Sequence, residues 1–254
     1  MQNLIKRWRI RSWIRLAFIT WAIFVMSWLA NSVRTSGVDE STLLSDSSVL
    51  VQQDSTSLSF LPSDTKSHTA LVFFCGSGIA ADAYAPLLRP IAESGIAVFI
   101  IKLPYRFAPF ESHKEAALVR ARTMISTHSK VKNWAIAGHS LGGALATRMA
   151  RTDSANLSAL ILIATTHPKN DDLSFLRIPV TKIYGSRDSI APKEQIIRNS
   201  ALLPSQTKWV EIVGGNHSQF GRYGRQLFDG TPGISREQQE ESTRTAILQT
   251  LADL

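Results

Sequence analysis

From residue 49 onward, short apolar runs rich in β-branched residues alternate with longer stretches of helical periodicity. The runs at Val49 to Gln52 and Ser57 to Leu61 predict a leading hairpin. Further strands are predicted at Ala70 to Cys75, Ile96 to Ile101, Trp134 to Ala137, Leu157 to Ile163, Val180 to Tyr184 and Trp209 to Val213. Between and after them, apolar positions recur every three to four residues over Asp82 to Ser94, Ser112 to Ser129, Leu141 to Thr152, Pro192 to Leu203 and Arg236 to Ala252, which predicts helices. Gly95 is placed to end a helix before a strand, and Ser112 with Glu115 three residues on reads as a capping box. Alternating strands and helices of this kind predict an α/β fold, a mostly parallel central sheet of about eight strands with helices on both faces.

The first 48 residues follow neither pattern. Leu16 to Ala30 is a run of 15 uncharged residues, flanked by Trp13 and Trp28 near its two ends. As a helix it would be about 22 Å long, short of a ~30 Å hydrocarbon core unless Ser12 to Arg15 and Asn31 to Val33 extend it. Two readings follow: an uncleaved anchor with aromatic residues at the interfaces, or a signal peptide cleaved near Ala30-Asn31-Ser32. Lys6, Arg7, Arg9, Arg11 and Arg15 precede the run, and no acid occurs before Asp39. That asymmetry places the N-terminus in the cytoplasm and the following domain on the extracytoplasmic side, anchored or secreted. Residues 34 to 48, rich in Ser, Thr and Asp, read as a linker. The predicted organisation is a membrane segment over 1–33, a linker over 34–48 and a globular domain over 49–254.

Composition changes this picture little. The net charge of +8 falls to about +3 once the five N-terminal cations are set aside, and no basic run interleaves with aromatics. A nucleic-acid partner is therefore not expected. A single cysteine, Cys75, excludes an intramolecular disulfide framework and a multi-cysteine metal site.

The chemistry lies in Trp134-Ala-Ile-Ala-Gly138-His139-Ser140-Leu141-Gly142-Gly143, a strand running into Gly-x-Ser-x-Gly and then a small-residue helix. A sharp strand-to-helix turn of this type lifts the serine out of the sheet, and Gly138 and Gly142 leave room for the turn. A serine hydroxyl needs a base and an orienting acid, expected later in the chain in the order Asp, His. Asp188 follows the strand ending at Tyr184, and His217 follows the strand ending at Val213, both just past strand ends. Asp188 could equally cap the next helix. Asp171 and Asp172 are competing acids one strand early, and His167 is the rival base. Oxyanion donors are expected from the backbone of Leu141 and from Ser77 or Gly78 in the loop after the third strand. His139, Asn216, Gln219 and Tyr223 are candidates to line the substrate pocket; the last three could equally hydrogen-bond the loop that carries His217, and His139, in the elbow, reads as a packing or orienting residue and not as a base. Gly76-x-Gly78-x-x-Ala81 also matches part of a dinucleotide fingerprint, but the following strand ends in Ile101-Lys102-Leu103 without the ribose-binding acid.

Residues 58 to 254 resemble a compact, cap-less branch of the α/β-hydrolase family, similar to α/β-hydrolase fold-5 proteins. The resemblance is carried by Phe74-Cys-Gly-Ser-Gly with Tyr84-Ala-Pro, by Lys102-Leu-Pro-Tyr-Arg-Phe-Ala108, by the elbow, and by Gly215-Asn-His-Ser-Gln-Phe-Gly221-Arg-Tyr-Gly-Arg-Gln226. The chain departs from many relatives at Cys75-Gly76, where they have His-Gly or Pro-Gly. The resemblance implies esterase, lipase or related hydrolase chemistry on a small-molecule or lipid-like acyl substrate, without a metal or an organic cofactor. The expected activity is that of a serine hydrolase cleaving an ester, thioester or amide through a Ser140 acyl-enzyme. Alternatives are acyl transfer and a non-catalytic ligand-binding module on the same fold; an intact Ser, Asp and His in order counts against the latter.

Overall fold

The computed structural model describes residues 2–64 and 68–254, with side chains described from residue 11 on. Lys6, Arg7 and Arg9, which carry much of the predicted membrane orientation, lie outside those side chains. Eight strands form one sheet: β1 (Val49–Gln53), β2 (Ser57–Pro62), β3 (Thr69–Phe74), β4 (Ala97–Ile101), β5 (Asn133–His139), β6 (Ala159–Ile163), β7 (Val180–Gly185) and β8 (Lys208–Ile212). Their order is β1-β2-β4-β3-β5-β6-β7-β8. Only β2 runs against the rest, being antiparallel to both β1 and β4. β3 and β6 are buried at every position and read as continuous apolar runs and not as alternating ones, whereas β7, equally buried, carries Thr181 and Lys182 in its middle.

Six helices are described: α1 (Gln2–Ser32), α2 (Ala85–Glu93), α3 (Glu111–Thr127), α4 (Leu141–Asp153), α5 (Lys193–Arg198) and α6 (Arg236–Ala252). α2 packs against α6 and α3 against α4, and the two pairs cover the sheet. α2 starts later than the periodicity predicts because Ala81–Tyr84 forms a separate 3-10 turn. α3 starts at Glu111 with Phe110 in the cap position and no side-chain cap, so Ser112 lies inside the helix and does not cap it. Gly95 does follow a helix end, at φ +96°, where a side chain would be strained. α5 is half the predicted length and gives way to a 3-10 turn at Ser200–Leu202.

α1 contains the apolar span Arg11–Ser32, long enough to cross a membrane and unburied along its length except at its foot, where Ser32 is buried. It could be a membrane anchor or a signal sequence. The stretch after it, read as a linker, is fastened down. Thr35 bridges Tyr223, Asp39 caps the turn Glu40–Leu43, and Val38 and Leu43 pack against the core. The buried Arg89 of α2 donates to the carbonyls of Thr42 and Leu44 and pairs with Asp46 at 2.5 Å.

Candidate active site

β5 ends between β3 and β6, and α4 begins two residues later, so Ser140 is the single residue between them. Its backbone is at φ 55°, ψ −116°, a conformation that a non-glycine residue rarely adopts, and its N–H donates to the Ile163 carbonyl at 3.0 Å. The turn is possible because its flanks lack side chains. A Cβ on Gly138 would lie 2.1 Å from the Gly142 oxygen, and one on Gly142 would lie 2.0 Å from the Phe74 oxygen.

Asp188 and His217 follow β7 and β8 at the same end of the sheet and meet. His217 Nδ1 lies 2.8 Å from Asp188 Oδ2, and both side chains are buried. The other carboxylate oxygen, Oδ1, accepts the N–H groups of Ile190 at 2.9 Å and Ala191 at 2.7 Å. These bonds fix the carboxylate, which in turn fixes the imidazole. Asp188 thus caps the following turn and also orients His217, the two roles left open from sequence. His217 Nε2 is buried with no hydrogen bond to the protein. Ser140 and His217 line one cavity of about 180 Å³, together with Leu141, Ala144, Ala164, Thr165, Thr166, His167, Ile190 and Ala191.

The loop after β3 lies beside the elbow, since Phe74 pairs with Gly138. Its amides are spoken for at two positions. Gly76 N–H donates to the Tyr84 hydroxyl at 2.9 Å, and Gly78 N–H donates to the Arg106 carbonyl at 2.8 Å. Gly78 is therefore not the free donor that its position in the chain suggested, whereas Ser77 N–H makes no hydrogen bond among the described residues.

None of the four candidates lines the cavity that Ser140 and His217 share; Asn216, Gln219 and Tyr223 hydrogen-bond the loop around His217, the alternative left open from sequence. His139 is fully buried beneath the elbow, its Nδ1 2.9 Å from the Tyr84 hydroxyl and its ring 4.7 Å from that of His217. Burial, with His217 beside it, holds its pKa well below the usual imidazole value, so the ring is neutral. Asn216 Nδ2 donates to the Gly230 carbonyl, and its Oδ1 accepts from Gln219 N–H. Gln219 Nε2 donates to the Ile234 carbonyl, and Tyr223 donates its hydroxyl to the His217 carbonyl at 3.1 Å. Sequence reasoning missed Asp229, which accepts from Ser218 N–H at 2.8 Å, Ser218 Oγ at 2.6 Å and His217 N–H at 3.3 Å. It also missed the wall Ala164–His167, although that segment follows a parallel strand at its carboxyl end, where pockets of such sheets form. His167, expected as a rival base, is in this wall and away from any carboxylate contact recorded among the described residues.

A larger concavity of about 980 Å³ lies along α6 and β8, lined by Val210, Ile212, Glu237 and Arg244 among others, and includes none of Ser140, Asp188 and His217. No group of His, Cys, Asp and Glu among the described residues could hold a metal ion.

Comparison with known proteins agrees with this architecture. No curated protein matches the sequence. Est1E from Butyrivibrio proteoclasticus superposes with a TM-score of 0.56 at 14% identity, over 81% of this chain and 100% of that one. A thermophilic esterase from Thermogutta terrifontis gives 0.59 at 14% identity, over 74% and 91%. A serine hydrolase without a lid from Xanthomonas campestris gives 0.57 at 15% identity, over 82% and 97%. These likenesses are of fold. A family model described as the alpha/beta hydrolase family matches residues 70–241, which span the elbow, Asp188 and His217, and the chain belongs to that family.

Proposed function

We propose that the chain is a membrane-anchored serine hydrolase that cleaves esters of short acyl groups. The observation that carries this reading is the His217 Nδ1 to Asp188 contact of 2.8 Å, made where His217 shares a cavity with a serine held at φ 55°. Ser140 Oγ attacks the acyl carbonyl carbon while His217 Nε2 takes the hydroxyl proton, and Asp188 stabilises the imidazolium through Nδ1–H. The same proton passes to the leaving alkoxide as the tetrahedral intermediate collapses. Water, activated in turn by His217, then releases the acid from Ser140. The negative charge on the carbonyl oxygen would be met by the N–H groups of Leu141, first residue of α4, and of Ser77.

The cavity size and its walls of Ala144, Ala164, Ala191 and Ile190 favour a short, apolar acyl group. The names of two structural relatives, an esterase and a lid-less serine hydrolase, support the same class. The basic stretch before α1 favours a cytoplasmic N-terminus with the domain on the other side of the membrane.

The test uses the full chain in detergent micelles with p-nitrophenyl acetate and butyrate, and with a fluorophosphonate label. Ser140→Ala is expected to remove both turnover and labelling while melting like the parent. His217→Gln and Asp188→Asn should lower kcat by roughly 10⁴-fold or more. A folded parent that neither turns over nor labels would overturn the proposal.

A further inference from the structure

The end of the sheet that carries Ser140 and His217 also carries the foot of α1. Thr35 pairs with Tyr223 three residues past the helix, and Ser36 N–H donates to the Arg222 carbonyl at 2.9 Å. The Asn31 oxygen would lie 2.5 Å from a Cβ on Gly224, and Val33 faces Gly78 next to the Phe107 ring. The apolar span runs to Ser32 itself, so the residues that touch the domain, Asn31 and Val33, are its last turn and the residue after it. No slack separates the span from the domain.

Two loops flank this junction, and both present apolar side chains outward. The loop after β4 exposes Tyr105 (78%), Phe107 and Phe110 (66%), and the loop after His217 exposes Leu227 and Phe228 (83%). Tyr105, Arg106, Ala108 and Phe228 all have positive φ. Bulky residues adopt that backbone only where the surroundings impose it, so the outward pose is built into both loops. Arg34 and Arg106 line one concavity with Ser27, Ala30, Asn31 and Thr35 at the foot of α1, and neither is in a salt bridge among the described residues. Arg225 is exposed beside Leu227 and Phe228. Exposed aromatics with cations beside them, next to the end of an apolar span, match the composition of a membrane–water interface, although Asp82 and Glu111 lie among them as well.

We propose that Tyr105, Phe107, Phe110, Leu227 and Phe228 enter the headgroup layer of the membrane that α1 spans, with Arg34, Arg106 and Arg225 on its phosphates. The Ser140 cavity then opens at the lipid surface. This rests on the reading of α1 as a retained anchor. It gives the enzyme first access to amphiphilic esters partitioned into that layer.

The test places an environment-sensitive fluorophore on the full chain through Phe110→Cys, Phe228→Cys and, at the opposite end of the sheet, Gln206→Cys. The parent, whose one cysteine is buried, serves as the labelling blank. The labelled chains are reconstituted in phosphatidylcholine–phosphatidylglycerol nanodiscs, both faces of which aqueous iodide reaches. Variants that melt like the parent are compared. Probes at 110 and 228 should emit to the blue, be quenched by shallow nitroxide lipids and resist iodide several-fold better than the probe at 206. Probes at 110 and 228 that behave like the one at 206, in a chain that co-elutes with the discs, would overturn the proposal alone. A chain that does not co-elute with the discs would overturn the anchor reading and the docked face with it.

Discussion

Lys182 lies in the middle of β7, 1% exposed, among residues that are otherwise apolar or small. Its ammonium donates to the His167 carbonyl and sits 5.9 Å from the centre of the Trp209 ring, so the strand tolerates a cation with few partners. Burial lowers its pKa to about 7. An unfolded lysine keeps its proton to about 10.4, so between pH 7 and pH 10.4 the unfolded chain binds the extra proton and stability rises with pH. Below pH 7 both states are protonated and the full penalty is present. The expected gain from pH 7 to pH 10 is roughly 2 to 4 kcal/mol from this group. Urea midpoints of the full chain and of Lys182→Met, measured at pH 7, 8.5 and 10, check it: the variant should lack that upward slope relative to the parent. Because Lys182 holds His167, a wall of the cavity, the same substitution should also raise KM for p-nitrophenyl butyrate more than it lowers kcat.

At the scale of elements, the segment between α1 and β1 shows how much of the fold is local. Its Ser- and Asp-rich composition reads as a spacer, yet Arg89, more than 40 residues later, gathers two of its carbonyls and Asp46. Arg89→Met would leave those carbonyls and Asp46 without their cation, at a cost of about 2 to 4 kcal/mol, since hydrogen bonds to charged groups are worth more than neutral ones. Limited proteolysis should then cut between residues 38 and 48 much faster in the variant, at unchanged secondary structure by circular dichroism. The contact was not legible because it pairs positions far apart in sequence, each unremarkable alone. The strands were legible for the opposite reason: burial on both faces writes β3 and β6 each as its own apolar run. The elbow was legible too, because Gly138 answers to Gly142 four residues on and the pair makes one short motif, even though Gly142 itself clears Phe74 on the neighbouring strand. Between these limits lie Asn216, Gln219 and Tyr223, whose proximity to His217 in sequence was plain, while the direction of their side chains depended on Gly230, Ile234 and the His217 carbonyl. α6 begins with a capping box of Ser235 and Gln238 that the Ser-x-x-Gln spacing carries, whereas the same kind of spacing at Ser112 lies within α3.

Across the whole molecule, the carboxyl end of the sheet bears the cavity, the foot of α1 and the loop after β3, so the question is whether that end opens independently of the core. Cys75 reports on this, being fully buried at the end of β3, where burial raises its thiol pKa far above the usual range. A protonated, enclosed thiol reacts only through opening. The tie that closes the loop over it is the Tyr84 hydroxyl, which accepts from Gly76 N–H and lies 2.9 Å from His139 Nδ1. In the folded chain at pH 8, a disulfide reagent should leave Cys75 unmodified for as long as the fold persists, and one thiol per chain should appear in guanidinium. Tyr84→Phe leaves Gly76 N–H and His139 Nδ1 buried and unpaired, which costs about 1 to 3 kcal/mol. If the loop opens on its own, that penalty falls on the closed state and Cys75 should react roughly tenfold or more faster with little change in the labelling of the unfolded chain. If the variant instead labels only as fast as it unfolds globally, measured by tryptophan fluorescence in the same buffer, the loop, the elbow and the sheet form one cooperative unit, and Ser77 N–H is held in place by the core as a whole.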